Sequence, residues 1–134
     1  MKYLLDTNIC IYLIKEKPPQ VLQRFRTYSV DDIGISAITV AEMSFGVQKS
    51  QRPEQNRRAL EQFLIPLTIL DFDYQAAMVY GGIRTALESR GTPIGALDLL
   101  IAAQAISQAI TLITNNTAEF ERIPALYVEN WVER

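Results

Sequence analysis

Apolar residues follow two different spacings along the chain, and these spacings predict the secondary structure. Short apolar runs between breaker residues predict strands, whereas apolar residues at i, i+3 and i+4 predict amphipathic helices. The predicted strands cover residues 3–6, 33–36, 67–70 and 110–114, with a candidate fifth strand at 126–128. Three predicted helices cover residues 7 to about 15, residues 38–49 and residues 96 to about 109. Three others are a helix that begins at Pro18 and Pro19, a helix that buries Leu60, Phe63 and Leu64, and a long helix between Asp73 and Gly91.

Strands that alternate with helices are typical of an α/β fold with a parallel sheet. The length of 134 residues is sufficient for one hydrophobic core. We therefore predict a single domain over residues 1–134, in which a central parallel sheet of four to five strands is flanked by helices on both faces.

The first apolar run ends at a carboxylate, in the segment Tyr3-Leu4-Leu5-Asp6-Thr7-Asn8. Ligands of open α/β sheets bind beyond the carboxyl ends of the strands. Asp6 is therefore a candidate metal ligand. Alternatively, Asp6 or Thr7 caps the helix that follows, which is a common role for both residue types. The metal-site interpretation requires further acids to converge on Asp6.

Two other acids are predicted to point inward from helices. At helical spacing both have apolar neighbours: Ile38, Ala41 and Phe45 for Glu42, and Ile101, Ala102 and Ala105 for Asp98. A buried carboxylate normally finds a partner or becomes protonated. Taken singly, each acid could form a buried ion pair, and Asp98 could favour a helix N-terminus. Taken together with Asp6, they predict three carboxylates in one crevice, which would repel one another unless a cation neutralised them.

Residue types that are absent or rare restrict the chemistry. The chain has no histidine, which excludes histidine-based catalysis and histidine-ligated zinc. It has one cysteine, Cys10, which excludes an internal disulfide and which we predict to lie in the core. Ligation by oxygen alone favours Mg²⁺ or Mn²⁺. The net charge of −2 means that any attraction to nucleic acid must come from a local basic patch.

The apolar segment from Ile94 to Thr114 is long enough to suggest a membrane span. Polar residues interrupt it, and an aspartate such as Asp98 costs about 2.5–3.5 kcal/mol at the centre of a bilayer. We predict a buried helix and a strand here instead. Lys2 is followed by few apolar residues, which does not fit a secretory signal, so we expect no membrane association and a cytoplasmic location.

Several motifs resemble those of PIN-domain ribonucleases and, more narrowly, the VapC toxins of bacterial type II toxin–antitoxin modules. The resemblance covers essentially the whole chain and preserves the order and separation of the motifs. The motifs that carry the resemblance are Leu5-Asp6-Thr7-Asn8, Ile38-Thr39-Val40-Ala41-Glu42, Gly91-Thr92-Pro93-Ile94-Gly95 before Asp98, Thr114-Asn115-Asn116, Phe120-Glu121-Arg122-Ile123-Pro124, and Val128-Glu129-Asn130-Trp131.

The resemblance implies an endoribonuclease that depends on Mg²⁺ or Mn²⁺ and cuts structured RNA such as a transfer RNA. It places Asp6, Glu42 and Asp98 at the acidic metal-site positions, where Asp6 and Asp98 would hold the ion and Glu42 would complete its shell or orient the attacking water. Many relatives have a fourth acid where this chain has Asn116. Glu119 could reach the site instead, or could be a solvated helix residue. The remaining candidates could contact the ligands or phosphate, or could equally be caps and turn residues: Thr7, Asn8, Ser36 and Thr114.

The resemblance also implies a VapB-type antitoxin, whose C-terminal segment lies in a groove between helices, and a toxin homodimer. Candidate groove residues are Ile9, Tyr12, Leu13, Phe45 and Leu60. Candidate RNA-contacting cations are Lys15, Lys17, Arg24, Arg26, Lys49, Arg52, Arg57, Arg58, Arg84 and Arg90. Two alternative functions are a metal-dependent phosphatase, although Asn8 stands where a second aspartate would be needed, and a non-catalytic RNA- or protein-binding module.

Overall fold

The computed structural model describes residues 1–133 and has a five-stranded sheet at its centre. The strands are β1 (Tyr3–Leu5), β2 (Ile33–Ser36), β3 (Thr68–Leu70), β4 (Thr111–Ile113) and β5 (Val128–Glu129). The helices are α1 (Thr7–Lys15), α2 (Pro19–Arg26), α3 (Ala37–Gln48), α4 (Pro53–Leu64), α5 (Tyr74–Ser89), α6 (Ala96–Gln108) and α7 (Thr117–Phe120), with a 3₁₀ turn at Val30–Asp32.

The strands lie in the order β3-β2-β1-β4-β5, and each neighbouring pair is parallel. The first strand in sequence is therefore the central strand of the sheet. Its last residue, Leu5, pairs with Ile35 on one side and Ile113 on the other. The chain leaves all three strands at the same edge, so the residues that follow them are brought together there.

Alternating residues of β1 enter two separate hydrophobic clusters. Leu5 packs with Ile9, Cys10 and other residues on the α1 side of the sheet, and Leu4 packs on the other side with residues of α6 such as Ile101. Successive side chains of a strand point to opposite faces, which explains this division. The sheet is thus covered by helices on both faces, and the predicted α/β architecture is confirmed.

The predicted elements agree closely with the observed ones, and the differences are local. The fifth strand is Val128–Glu129 rather than 126–128, because Leu126 is buried in the α6 cluster and Tyr127 is exposed. The short helix α7 and the 3₁₀ turn were not predicted. Cys10 is fully buried, as predicted. Among residues 1–133, none of the helices combines the length and the apolar character needed to cross a membrane.

Candidate active site

Asp6 follows β1 directly and is almost completely buried, with 4% of its surface exposed. Its Oδ1 accepts a hydrogen bond from the Thr7 backbone N–H (2.7 Å), and its Oδ2 accepts one from the Thr114 hydroxyl (2.8 Å). Burial, together with the charge of Glu119, raises the pKa of Asp6, although these two hydrogen bonds act to lower it. Asp6 therefore caps α1, as one interpretation of the sequence expected. The carboxylate is also fixed in place from two neighbouring strand ends.

Thr114 is the buried partner that comes from β4. The Asp6 backbone N–H donates to the Ile113 carbonyl oxygen (2.9 Å), which places Thr114 beside Asp6 at the sheet edge. The Thr114 hydroxyl also accepts a hydrogen bond from the Asn116 backbone N–H (3.0 Å). Thr114 thus connects Asp6 to the turn that begins after β4.

Glu42 reaches the same place from α3 through Thr7. The Thr7 hydroxyl donates to Glu42 Oε1 (2.9 Å) and lies 3.4 Å from the Thr39 hydroxyl. Glu42 was predicted to share an apolar face with Ile38, Ala41 and Phe45, and this holds for Ile38, which packs against the α6 cluster. It is wrong for Ala41, which is exposed, and for Phe45, which is 66% exposed; the buried residues of α3 are Thr39 and Met43. Because α3 carries apolar residues on every side, its buried face could not be assigned from the sequence.

Asp98 lies in the first turn of α6, and its carboxyl group is half-buried. Burial, followed by the charges of the neighbouring Glu119, Asp6 and Glu42 carboxylates, raises its pKa to about 7. Four acids from β1, α3, α6 and α7 therefore surround one crevice.

Glu119 is part of this crevice, which decides between the two alternatives left open for it. Its Oε1 accepts a hydrogen bond from the Gly95 backbone N–H (3.1 Å), and its Oε2 accepts one from the Asn116 side-chain amide. A Cβ atom at Gly95 would lie 3.7 Å from Asp98 Oδ2 and 4.0 Å from Glu119 Oε1. Asn116 thus contacts the acidic crevice by supporting Glu119.

Two other candidates lie apart from these acids. Ser36 is buried and accepts a hydrogen bond from the Ile38 backbone N–H (3.0 Å), so it caps α3. Asn8 is exposed on α1. Neither residue has a hydrogen bond to the four acids in the part of the chain that the structure describes.

The four acids have no cationic partner among residues 1–133. The ion pairs there are Lys2–Asp32, Arg24–Glu129, Arg57 with Glu54 and Glu61, and Arg84–Glu88. An uncompensated cluster of carboxylates is the oxygen donor set that hard divalent cations prefer.

The side chains as they stand do not form a complete metal site. Within the described chain, no three acidic groups converge on a common point at which they could ligate one ion. Their oxygens are instead directed to the Thr7, Thr114, Gly95 and Asn116 donors. The donor chemistry fits Mg²⁺ or Mn²⁺, and ligation requires rotation of these side chains.

A groove of about 330 Å³ runs between α1, α3 and α4 and ends at the acidic crevice. Its lining is mostly apolar and consists of Thr7, Ile11, Ile14, Lys15, Glu42, Met43, Gly46, Val47, Asn56, Ala59 and Leu60. Of the five predicted groove residues, Leu60 lines it, whereas Ile9 and Leu13 are buried in the core. Tyr12 and Phe45 lie outside the lining. The sequence could not separate groove from core because α1 is apolar on most of its surface.

Comparison with known proteins identifies a family for this arrangement. The PIN-domain family model matches residues 3–126. The chain is 46% identical to "Ribonuclease VapC2" of Rickettsia felis over 132 residues, which is 98% of both chains. It is 44% identical to the "tRNA(fMet)-specific endonuclease VapC" of Salmonella typhimurium over 131 residues, again 98% of both chains. Its fold is similar to that in a crystal structure of DNA-bound VapBC from Salmonella typhimurium, with a TM-score of 0.93, 44% identity and 98% coverage of both chains.

Proposed function

Because the chain belongs to the PIN-domain family and to the VapC ribonucleases within it, we propose that it is a metal-dependent endoribonuclease toxin. The observation that carries this proposal is the convergence of Asp6, Glu42, Asp98 and Glu119 on one crevice without a cationic partner in the described chain. Mg²⁺ or Mn²⁺ is the proposed cofactor, because all of the donors are oxygen atoms.

Each acid has a distinct role in this proposal. Asp6 and Asp98 would hold the ion, which when bound supplies the Lewis acidity that phosphodiester hydrolysis requires. Asp6 accepts hydrogen bonds from the Thr7 backbone N–H and the Thr114 hydroxyl, which keep its carboxylate at the edge of the sheet. Glu42 is oriented by the Thr7 hydroxyl and would accept a proton from the attacking water. Glu119 is held by the Gly95 backbone N–H and the Asn116 side-chain amide, and its charge next to Asp98 would favour a bound cation.

The proposed substrate is structured RNA, and a transfer RNA in particular. The support for this choice is the 44% identity to a Salmonella typhimurium relative whose name specifies tRNA(fMet). The net charge of −2 provides no global attraction for RNA, so binding would depend on local cations and on salt concentration.

The proposed partner is a VapB-type antitoxin, since similar structures include VapBC from Salmonella typhimurium. The groove between α1, α3 and α4 is apolar and opens beside Glu42. It fits a segment that places apolar residues in the groove and a basic residue in the acidic crevice. The homodimer and the cytoplasmic location stay predictions, and analytical ultracentrifugation of the antitoxin-free chain tests the first of them.

The nuclease proposal is tested by incubating antitoxin-free protein with total RNA, in the presence of Mg²⁺ or of EDTA, and mapping the new RNA ends. We expect discrete cuts that EDTA and the substitution Asp98→Asn both abolish. RNA binding without cuts would favour the binding-module alternative. Hydrolysis of a chromogenic phosphomonoester without cuts in RNA would favour the phosphatase.

A further inference from the structure

Two exposed arginines connect the loop that precedes α6 with the turn that follows α7. Arg90 follows α5, and its Nη2 donates a hydrogen bond to the Arg122 carbonyl oxygen (3.1 Å). Arg122 follows α7, and its Nη1 donates to the Pro93 carbonyl oxygen (3.1 Å). Both side chains are exposed. Each guanidinium group thus uses a single N–H group to hold this pair of backbone segments together.

The same two backbone segments lead to two of the four acids of the crevice, Asp98 and Glu119. Pro93 lies two residues before Gly95, whose N–H group holds Glu119. The Arg122 backbone N–H donates to the Glu119 carbonyl oxygen (3.2 Å). Two residues of extended chain span at most about 7 Å. Both guanidinium groups therefore hydrogen-bond to backbone that lies two or three residues from Gly95 or Glu119, and neither forms an ion pair with the four acids in the described chain.

The charge of this pair is not compensated within the part of the chain that the structure covers. Neither Arg90 nor Arg122 has a carboxylate partner there, and the same is true of Arg26, Arg52 and Arg58. What distinguishes Arg90 and Arg122 is that they hold the backbone segments that lead to Gly95 and Glu119, where their charges would attract an anion. A guanidinium group has five N–H groups in a planar fork that matches the oxygens of a phosphate.

We propose that Arg90 and Arg122 form a phosphate-binding rim that holds the RNA backbone next to the bond that is cut. This inference rests on the proposed nuclease function and adds the residues that place the substrate. In this arrangement the four acids of the crevice bind a cation, and the two arginines next to it bind phosphate. It also explains how a chain with a net charge of −2 can bind RNA.

The experiment measures the affinity for unfractionated bacterial tRNA as a function of NaCl concentration, in an Asp98→Asn background that prevents cutting. We expect Arg90→Gln and Arg122→Gln each to weaken binding roughly three- to tenfold, and to lower the slope of log K against log[NaCl] by about 0.7–0.9. The matched control is Lys2→Gln. Lys2 is an exposed cation that directly precedes β1, at the edge of the sheet opposite the crevice. It should change neither quantity.

Lysine variants separate charge from loop positioning. If the rim binds phosphate, Arg122→Lys keeps most of the salt slope and Arg122→Gln does not. If the arginines only hold the loop, both variants lower the cutting rate and the melting temperature but leave the salt slope unchanged, and the proposal is overturned. If the wild-type protein cuts RNA and Arg90→Gln and Arg122→Gln both bind tRNA like Lys2→Gln, the phosphate-binding rim is overturned and the nuclease proposal is not. Wild-type protein that does not cut would instead overturn the nuclease proposal.

Discussion

Asp6 is held by two hydrogen bonds, and the one from the Thr114 side chain can be removed without a large change of shape. Thr114→Val replaces the hydroxyl that donates to Asp6 Oδ2 with a methyl group. Loss of a hydrogen bond to a buried carboxylate costs about 1–3 kcal/mol. We expect the free energy of unfolding to fall by that amount in urea titrations, and RNA cutting to fall at least about tenfold.

Thr114→Ser is the matched control for this change because it keeps the hydroxyl. It should retain most of the cutting rate of the wild type. Equal losses in Thr114→Ser and Thr114→Val would show that the methyl group, and not the hydrogen bond to Asp6, is what the site requires.

The raised pKa of Asp98 predicts that the stability of the cation-free protein depends on pH. Burial, followed by the charges of Glu119, Asp6 and Glu42, raises its pKa to about 7. The folded state therefore binds this proton more tightly than the unfolded state, and stability is present at low pH and lost as the pH rises through 7. In EDTA we expect the free energy of unfolding to fall by about 1–3 kcal/mol between pH 5 and pH 8, a range that allows for solvent screening of a half-buried group.

Asp98→Asn removes the ionisable group, so urea titrations of this variant should show a much flatter pH profile. A wild-type stability that rose from pH 5 to pH 8 would contradict the assigned direction. Added Mg²⁺ should restore stability to the wild type chiefly at the higher pH, because ligation requires ionised carboxylates.

At the scale of elements, α7 positions Glu119, for which the sequence could not decide between a place in the site and a place in solvent. The helix has only four residues, and it is anchored by Phe120, which is fully buried. We expect Glu119→Gln to lower the pKa of Asp98, because it removes a neighbouring negative charge, and to reduce RNA cutting about tenfold or more. An NMR titration of the side-chain carboxyl groups measures the first effect.

Glu121→Gln provides the control for Glu119→Gln. Glu121 is exposed and lies just beyond the same helix. It should leave both the Asp98 titration and the cutting rate unchanged. If the two variants behaved alike, Glu119 would not be part of the site.

The sequence correctly predicted the helices and strands whose apolar spacing fits only one type of secondary structure. Asp6 was found because β1 is a short apolar run that ends at an acid, and the parallel sheet made its edge the obvious site. The predicted buried face of α3 was wrong for Ala41 and Phe45. A helix with apolar residues on every side has no sequence pattern that defines which side faces the core. Glu119 could not be assigned because α7 is too short to show a period. Its approach to Asp98 depends on the Gly95 N–H, which is a tertiary contact.

At the scale of the whole molecule, the groove and the acidic crevice are one continuous surface. Thr7 and Glu42 line the groove at one end and belong to the crevice at the same time. A segment bound along the groove would therefore end at the acids. This geometry offers a way to separate antitoxin binding from catalysis, because the other end of the groove contains none of the four acids.

Gly46 is the residue that makes this separation testable. It lines the groove from within α3, and a Cβ atom there would meet nothing within 4 Å. Gly46→Leu should therefore fill the groove without strain, and should stabilise α3 by about 0.5–1 kcal/mol because glycine is a poor helix residue. We expect at least about tenfold weaker binding of the VapB-type antitoxin in calorimetry, since displaced apolar contacts each contribute on the order of 1 kcal/mol, while RNA cutting by the free toxin is retained.

Gly82→Leu is the matched control, because Gly82 is an equally open glycine within α5 and lies outside the groove. It should gain similar helix stability and bind the antitoxin like the wild type. If Gly46→Leu bound the antitoxin as tightly as Gly82→Leu, the antitoxin would occupy another surface. If Gly46→Leu lost RNA cutting as well as antitoxin binding, the groove would contribute to the substrate site, and inhibition would then result from direct competition along its whole length.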